Sequence, residues 1–467
     1  MPSNCNRRRP ASPRRNPRSK GFALKQRLHQ HSLALLLVAA LGVSGCGVFK
    51  KTAPKSLTVG ERIPVLNYET RAEAEPELKD TAVVLPIAET NSEWGQPGGT
   101  ASKYNGHLTL AEKLAPAWSV SIGKGSTGTR RLNAGPVVSD GKVFTMDTGA
   151  LVRAFDATNG KLLWEKAITV TKRNSNAAFG GGVSVANGRV FATTGYGIVR
   201  AFDAGTGTQL WSQTISEPLR GAPTISGNRV YVLTQDNQLF ALNVETGETL
   251  WNVSGTVEVA GLLTAASPAV ALDTVVVGFS SGELNALRAE NGRTVWADAL
   301  ARTGRSTAMA ALSDIDASPV IDRGRVFAIG HGGRMAALEL ATGQRVWERN
   351  FAGTSTPWAA GEFVFLVTLE GEVVCVTRGD GKIRWVHQLD RYAKPKKKAN
   401  PIQWEGPVLA SDRLLVVGSN KQMVAVSPFD GSRLASWKLG SPAYIAPVVA
   451  ANTAYVLTDD GKLTAWR

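Results

Sequence analysis

The chain runs to 467 residues, 43% hydrophobic and 19% charged, a balance that fits a folded body in water and excludes a disordered or fibrous one. Its net charge of +15 resembles that of a nucleic-acid binder, but nine Lys or Arg and no acid lie in residues 1–45, so the rest carries only +6. That remainder is too mild to argue for a polyanion partner.

Residues 1–45 read as an export signal: a basic stretch, the apolar run LALLLVAALGV (33–43), then small residues. The run is too short to span a bilayer, which needs about 20 apolar residues. VSGCG (43–47) resembles a bacterial lipobox, which makes Cys46 the lipidated residue and the new N-terminus. Gly47 stands where a retention signal has Asp, and by that resemblance the anchor sorts to the outer membrane. Cys5 leaves with the signal and Cys46 carries lipid. Only Cys375 remains, without a disulfide or metal partner, in the alternation EVVCVT, where it reads as a buried small hydrophobe. Residues 46–92 are polar and aperiodic, a lipidated N-terminus and flexible tether.

From 93 to 467 one unit repeats. Short β-branched or aromatic runs bounded by Gly, Asn and Asp predict strands, and each unit holds four. RAFDATNGKLLW (153–164) shows the signature: a turn glycine, then a tryptophan. The glycine supplies the positive φ of a tight hairpin. Trp164, Trp211, Trp251, Trp296, Trp347 and Trp385 keep the spacing, while Trp437 lies two residues further on, through a bulge or a longer turn. The last unit ends at Arg467 without a fourth strand, and APAWSVSIG (115–123), with Trp118, supplies it. The expectation is all-β: an eight-bladed β-propeller of four-stranded antiparallel blades, its ring closed by an N-terminal strand in the last blade. Eight tryptophans would mark the eight blades. Deleting 115–123 should unravel the ring and deleting 47–90 should not.

Every long insertion falls in one class of loop, from a fourth strand to the next blade, so one face is smooth and the other elaborated. The chemistry on offer is thin. SDID (313–316) is the densest acidic doublet, but as a calcium loop from Asp314 it has Pro319 where Gly is needed and Arg325 where Glu is needed. His107, His331 and His387 have no metal-ligand spacing, and FGGG (179–182) lacks a phosphate-loop ending. No catalytic residue, metal or cofactor is assigned, and the chain reads as a non-enzyme. The basic run KPKKK (394–398) reads as a solvated loop.

The blade repeat resembles that of pyrroloquinoline-quinone enzymes, which keeps a quinone-dependent dehydrogenase, or another small-ligand propeller, as the alternative. Yet the vicinal cysteine pair of those enzymes is missing here. Lipobox, tether, eight quinoprotein-like blades and LSDIDASPVI (312–321) together resemble the BamB family, the propeller lipoproteins of the outer-membrane β-barrel assembly machinery. That resemblance implies a scaffold at the periplasmic face of the outer membrane. Its partners would be the periplasmic repeat domains of the barrel subunit BamA, other lipoproteins of the complex, unfolded barrel clients and the membrane, but no nucleic acid. It also implies two contact loops. Asp314 and Asp316 carry over directly, as exposed loop acids, and VAGLLTAASP (259–268) offers Leu262 and Leu263 as the leucine loop. The family's Arg after the leucine is missing between Trp251 and Arg288.

Overall fold

The computed structural model describes residues 72–169, 180–215, 217–257, 266–300 and 313–467. Inner strands such as Thr274–Gly278 and Phe363–Val367 are buried throughout and outer ones such as Thr249–Ser254 alternate, and four-stranded antiparallel sheets pair their edges. Eight such sheets form. Seven are consecutive, within 137–167, 181–214, 224–254, 269–299, 320–349, 358–388 and 404–438. The eighth takes three strands from 448–466 and its outermost strand, Pro116–Ser121, from the other end of the sequence. That strand runs antiparallel to Lys462–Trp466, closing the propeller as its sequence predicts. Cys375 is fully buried, and burial pushes its thiol well above the usual range.

The repeat's Gly and Trp meet across blades. A Cβ on Gly247 would lie 2.5 Å from Trp211 of the preceding blade, and one on Gly381 would lie 2.5 Å from Trp347. Each indole N–H also donates to a backbone carbonyl of that next blade, Trp211 to Val244 at 3.0 Å and Trp385 to Pro428 at 2.9 Å. The glycine therefore serves twice, for φ (+77° at Gly247) and for clearance. Gly188 separates these effects, because its φ is +71° but a Cβ there meets nothing within 4 Å. Gly188→Ala is expected to cost about 1–2 kcal/mol for the left-handed backbone alone. Gly247→Ala adds overpacking and is expected to cost roughly 3 kcal/mol or more. Urea midpoints of the two variants check this; equal losses would remove the packing role of the glycine.

Trp437 departs from the expectation. Ala435, opposite Ala425, holds the place that Trp occupies in the other blades, and Trp437 pairs with Met423. No longer turn or special bulge is responsible, since the register irregularity at this point recurs in blade after blade. The cause lies in the next blade. Its third and outermost strands are joined by hydrogen bonds between Ala115 and Arg467, at 2.8 and 3.0 Å, and not by a turn. With no turn glycine to cover, an indole has no seat there.

The stretch before the first strand is folded as well, although 72–92 is expected as tether. Glu75 N–H donates to Ile383, the Arg384 guanidinium donates to Thr81, and Lys382 pairs with Glu77 at 2.7 Å. This strap crosses from the sixth blade to the axis along the short-turn face. Residues 91–108 then form a hub that bonds to the innermost strand of every blade. Asn91 meets the eighth blade through Val449 and Ala451. Trp94 pairs with Val138, Gly95 accepts from Val185, and Gln96 exchanges bonds with Ile225. Ala101 accepts from Val270 and Ser102 from Ile321. Gly106 accepts from the Trp358 indole, and Leu108 bonds with Leu409 and Ser411. Such bonding leaves no periodicity in the sequence, because each residue answers to a different blade.

Candidate functional site on the loop-bearing face

The acidic loop enters between the fourth and fifth blades. Ile315 is fully buried and wedged against Gly278, where a Cβ would come within 2.3 Å of its side chain. Backbone bonds from Ile315 N–H to Phe279 and from His331 N–H to Asp314, at 3.1 and 2.8 Å, fix the loop on both sides. Asp314 and Asp316 flank this wedge and are buried, at 0% and 5% exposure. The expectation that they are exposed loop acids is therefore wrong. The physical reason is Arg220, 1% exposed, whose Nη2 lies 3.9 Å from Asp314 Oδ1 and 3.6 Å from Asp316 Oδ1. Burial lowers the affinity of this guanidinium for its proton, against the pull of Asp316 and Asp314. His331 stands 3.9 Å from the far oxygen of Asp316. The cluster is an ionic clamp between two loops of the same class.

Arg220 is the residue that sequence reasoning missed. EPLRGAP (217–223) enters the third blade as LSDIDASP enters the fifth, and it is the one such lead-in that sets Leu directly before Arg. Leu219 is fully buried beside it. Arg220 stands one blade before 259–268 and lies against the acid pair. Leu262, Leu263 and Cys46 lie outside the described residues.

Between these loops and the hub is a cup of about 800 Å³. Its floor carries Trp94 and Trp358, stacked with centroids 6.2 Å apart, and the hub residue Lys103. Asp316, His331 and Glu405 line the wall. Burial pushes the Glu405 carboxyl up, while bonds from Ser355 and from Gln403 (2.8 Å) oppose that shift. Among the described residues no cluster of three or more His, Cys, Asp or Glu could hold a metal.

Lys103 is 3% exposed, and its Nζ donates to Thr224 Oγ1 at 3.0 Å. Gly98 makes room for its stem, since a Cβ there would lie 2.9 Å from Lys103 Cδ. Burial lowers its pKa from 10.5 to about 7. Between those values unfolding takes up a proton, so this group's contribution to stability rises with pH across the window and is least favourable below about pH 7. Lys103→Met is expected to stabilise the protein by a few kcal/mol near neutral pH, with the gain fading towards pH 10.5. Thermal melts across that range check it, and a pH-independent difference would contradict it.

A family model described as outer membrane protein assembly factor BamB matches residues 112–174, 148–387 and 392–466. The outer membrane protein assembly factor BamB of Moranella endobia is 26% identical over 353 residues, 74% of this chain and 89% of that one. The crystal structure of BamB from Moraxella catarrhalis superposes with a TM-score of 0.65 at 20% identity, covering 76% of this chain and all of that one. A quinohemoprotein alcohol dehydrogenase from Comamonas testosteroni reaches a TM-score of 0.64 at 14% identity over 81% of each chain, a likeness of fold alone. With nearly the whole propeller inside the family match, the chain belongs to the outer membrane protein assembly factor BamB family.

Proposed function

We propose that the protein is a non-enzymatic scaffold of outer-membrane β-barrel assembly. It is anchored through lipid at Cys46 and docks its loop-bearing face on the periplasmic repeat domains of a BamA-like barrel subunit. The observation that carries this reading is the occupation of the short-turn face by the chain's own strap and hub, which leaves the loop-bearing face for partners. In this reading Leu262 and Leu263, in the sequence between the third and fourth blades, supply an apolar contact that complements the acidic loop. Asp314 and Asp316 act through the loop that they and Arg220 hold in shape. An apolar anchor beside charge is a common interface plan. Other lipoproteins of the complex and unfolded barrel clients are further partners in this reading.

Affinity purification from detergent-solubilised membranes tests it. The native chain should bring down a barrel protein with periplasmic domains, and Leu262→Asp with Leu263→Asp should lose it. Cys46→Ser should move the chain from the membrane to the soluble periplasm, because acyl chains supply about 0.8 kcal/mol per buried CH₂. Native chain that captures no barrel subunit would end the proposal.

A further inference from the structure

The cup has a feature that partner docking leaves unused. Lys103 is a buried cation at its floor with no carboxylate at ion-pair distance among the described residues, only the Thr224 hydroxyl. Two of the acids facing the cup already have cationic neighbours. Asp316 is held by Arg220 and stands near His331, while Asp459 lies 3.9 Å from Arg131. Burial favours the neutral form of Glu405. Most of the remaining wall is apolar: Leu132, Val137, Ile402, Pro407, Ile445 and Val448. We propose that this cup binds a small amphipathic carboxylate, its anionic head on Lys103 Nζ and its apolar body against Trp94, Trp358 and the apolar wall.

A buried ammonium with one hydrogen bond is costly, and an entering anion supplies the missing counter-charge and two acceptors. A single negative charge fits better than the double charge of a phosphate ester. The second charge would face Asp316 without a further cation at the floor. The volume of about 800 Å³ lies in the range of small-molecule sites. Trp94 and Trp358 both line the cup and add aromatic surface to its apolar wall. The hub shuts the short-turn side, so a ligand enters from the loop-bearing face.

Binding to the charged form of Lys103 makes affinity depend on pH. It should be full below about pH 7 and fall about tenfold per pH unit above that. The purified chain, with no partner present, is titrated with para-trifluoromethylbenzoate and with the neutral para-trifluoromethylbenzamide. Fluorine NMR and tryptophan fluorescence report binding. At about pH 6 the acid is expected to bind roughly tenfold or more tightly than the amide, from one charge-assisted hydrogen bond. The preference should shrink at about pH 8.5 and vanish in Lys103→Met. Equal binding of acid and amide by the native chain would overturn the proposal, and so would no acid binding at millimolar concentration. A preference that survives in folded Lys103→Met would do the same. Partner capture is not part of the assay, so its outcome stands apart from the docking reading.

Discussion

A chain beginning at Thr109 is expected to lose the cooperative unfolding of the propeller, although every blade strand is still present. Residues 91–108 satisfy the inner edges of all eight blades, from Val449 round to Leu409. Removing them leaves that ring of backbone groups bare at the axis and takes away Trp94 and Leu108, at 4% and 3% exposure. Loss of one buried tryptophan alone costs about 3–5 kcal/mol. Each inner-edge group left unpaired away from water adds about 1–3 kcal/mol. Their sum approaches the whole stability of a typical domain, about 5–15 kcal/mol. A chain beginning at Ala72 keeps strap, hub and closing strand and should melt as the full chain does. Going further and removing Pro116–Ser121 exposes the edge of Lys462–Trp466 and opens the ring. Circular dichroism melts and limited proteolysis of the three truncations measure this. Coincident melting of the chains starting at Ala72 and Thr109 would strip the hub of its role.

The second large effect is at the ionic clamp. Asp314→Asn with Asp316→Asn leaves Arg220 buried without its carboxylates, and removing one side of such a cluster costs about 3–5 kcal/mol. Adding Arg220→Met to that pair should recover more than half of the loss, because the uncompensated charge is then gone. Charge reversal of both acids sets three cations together in the interior and is expected to prevent folding, so it cannot serve as a clean probe of partner binding. Denaturant titrations of the single, double and triple variants test the coupling. Additive losses, with no rescue by Arg220→Met, would show that the clamp is not a unit.

What was legible in the sequence was what repeats. The turn glycines and the tryptophans gave blade number, strand order and ring closure, since each copy states the same local rule again. Where the rule has an exception, its cause is distant: Ala435 replaces a tryptophan because the following blade is completed by Ala115 and Arg467 and not by a turn. The hub was hidden for the opposite reason. Asn91, Trp94, Gln96 and Ala101 each bond to another strand, so nothing recurs that a reader could count. The acid pair was found by family likeness, but its burial was not. Exposure is decided by Arg220, which lies two blades earlier in the chain and reaches the acids only in the folded ring.

The closing strand also sets a timetable. Ser119 and Thr464 touch across 345 residues, at the two ends of the propeller sequence. A chain delivered from its N-terminus offers axle and first edge before any blade exists, yet neither finds its full set of partners until Lys462–Trp466 has arrived. Contacts of such separation make folding slow, since the entropy of closing the loop is lost before the bonds form. During that interval the nascent blades keep open edges and unpaired aliphatic strands. The protein therefore spends its own maturation in the state most prone to aggregate, most of all before its last strand emerges.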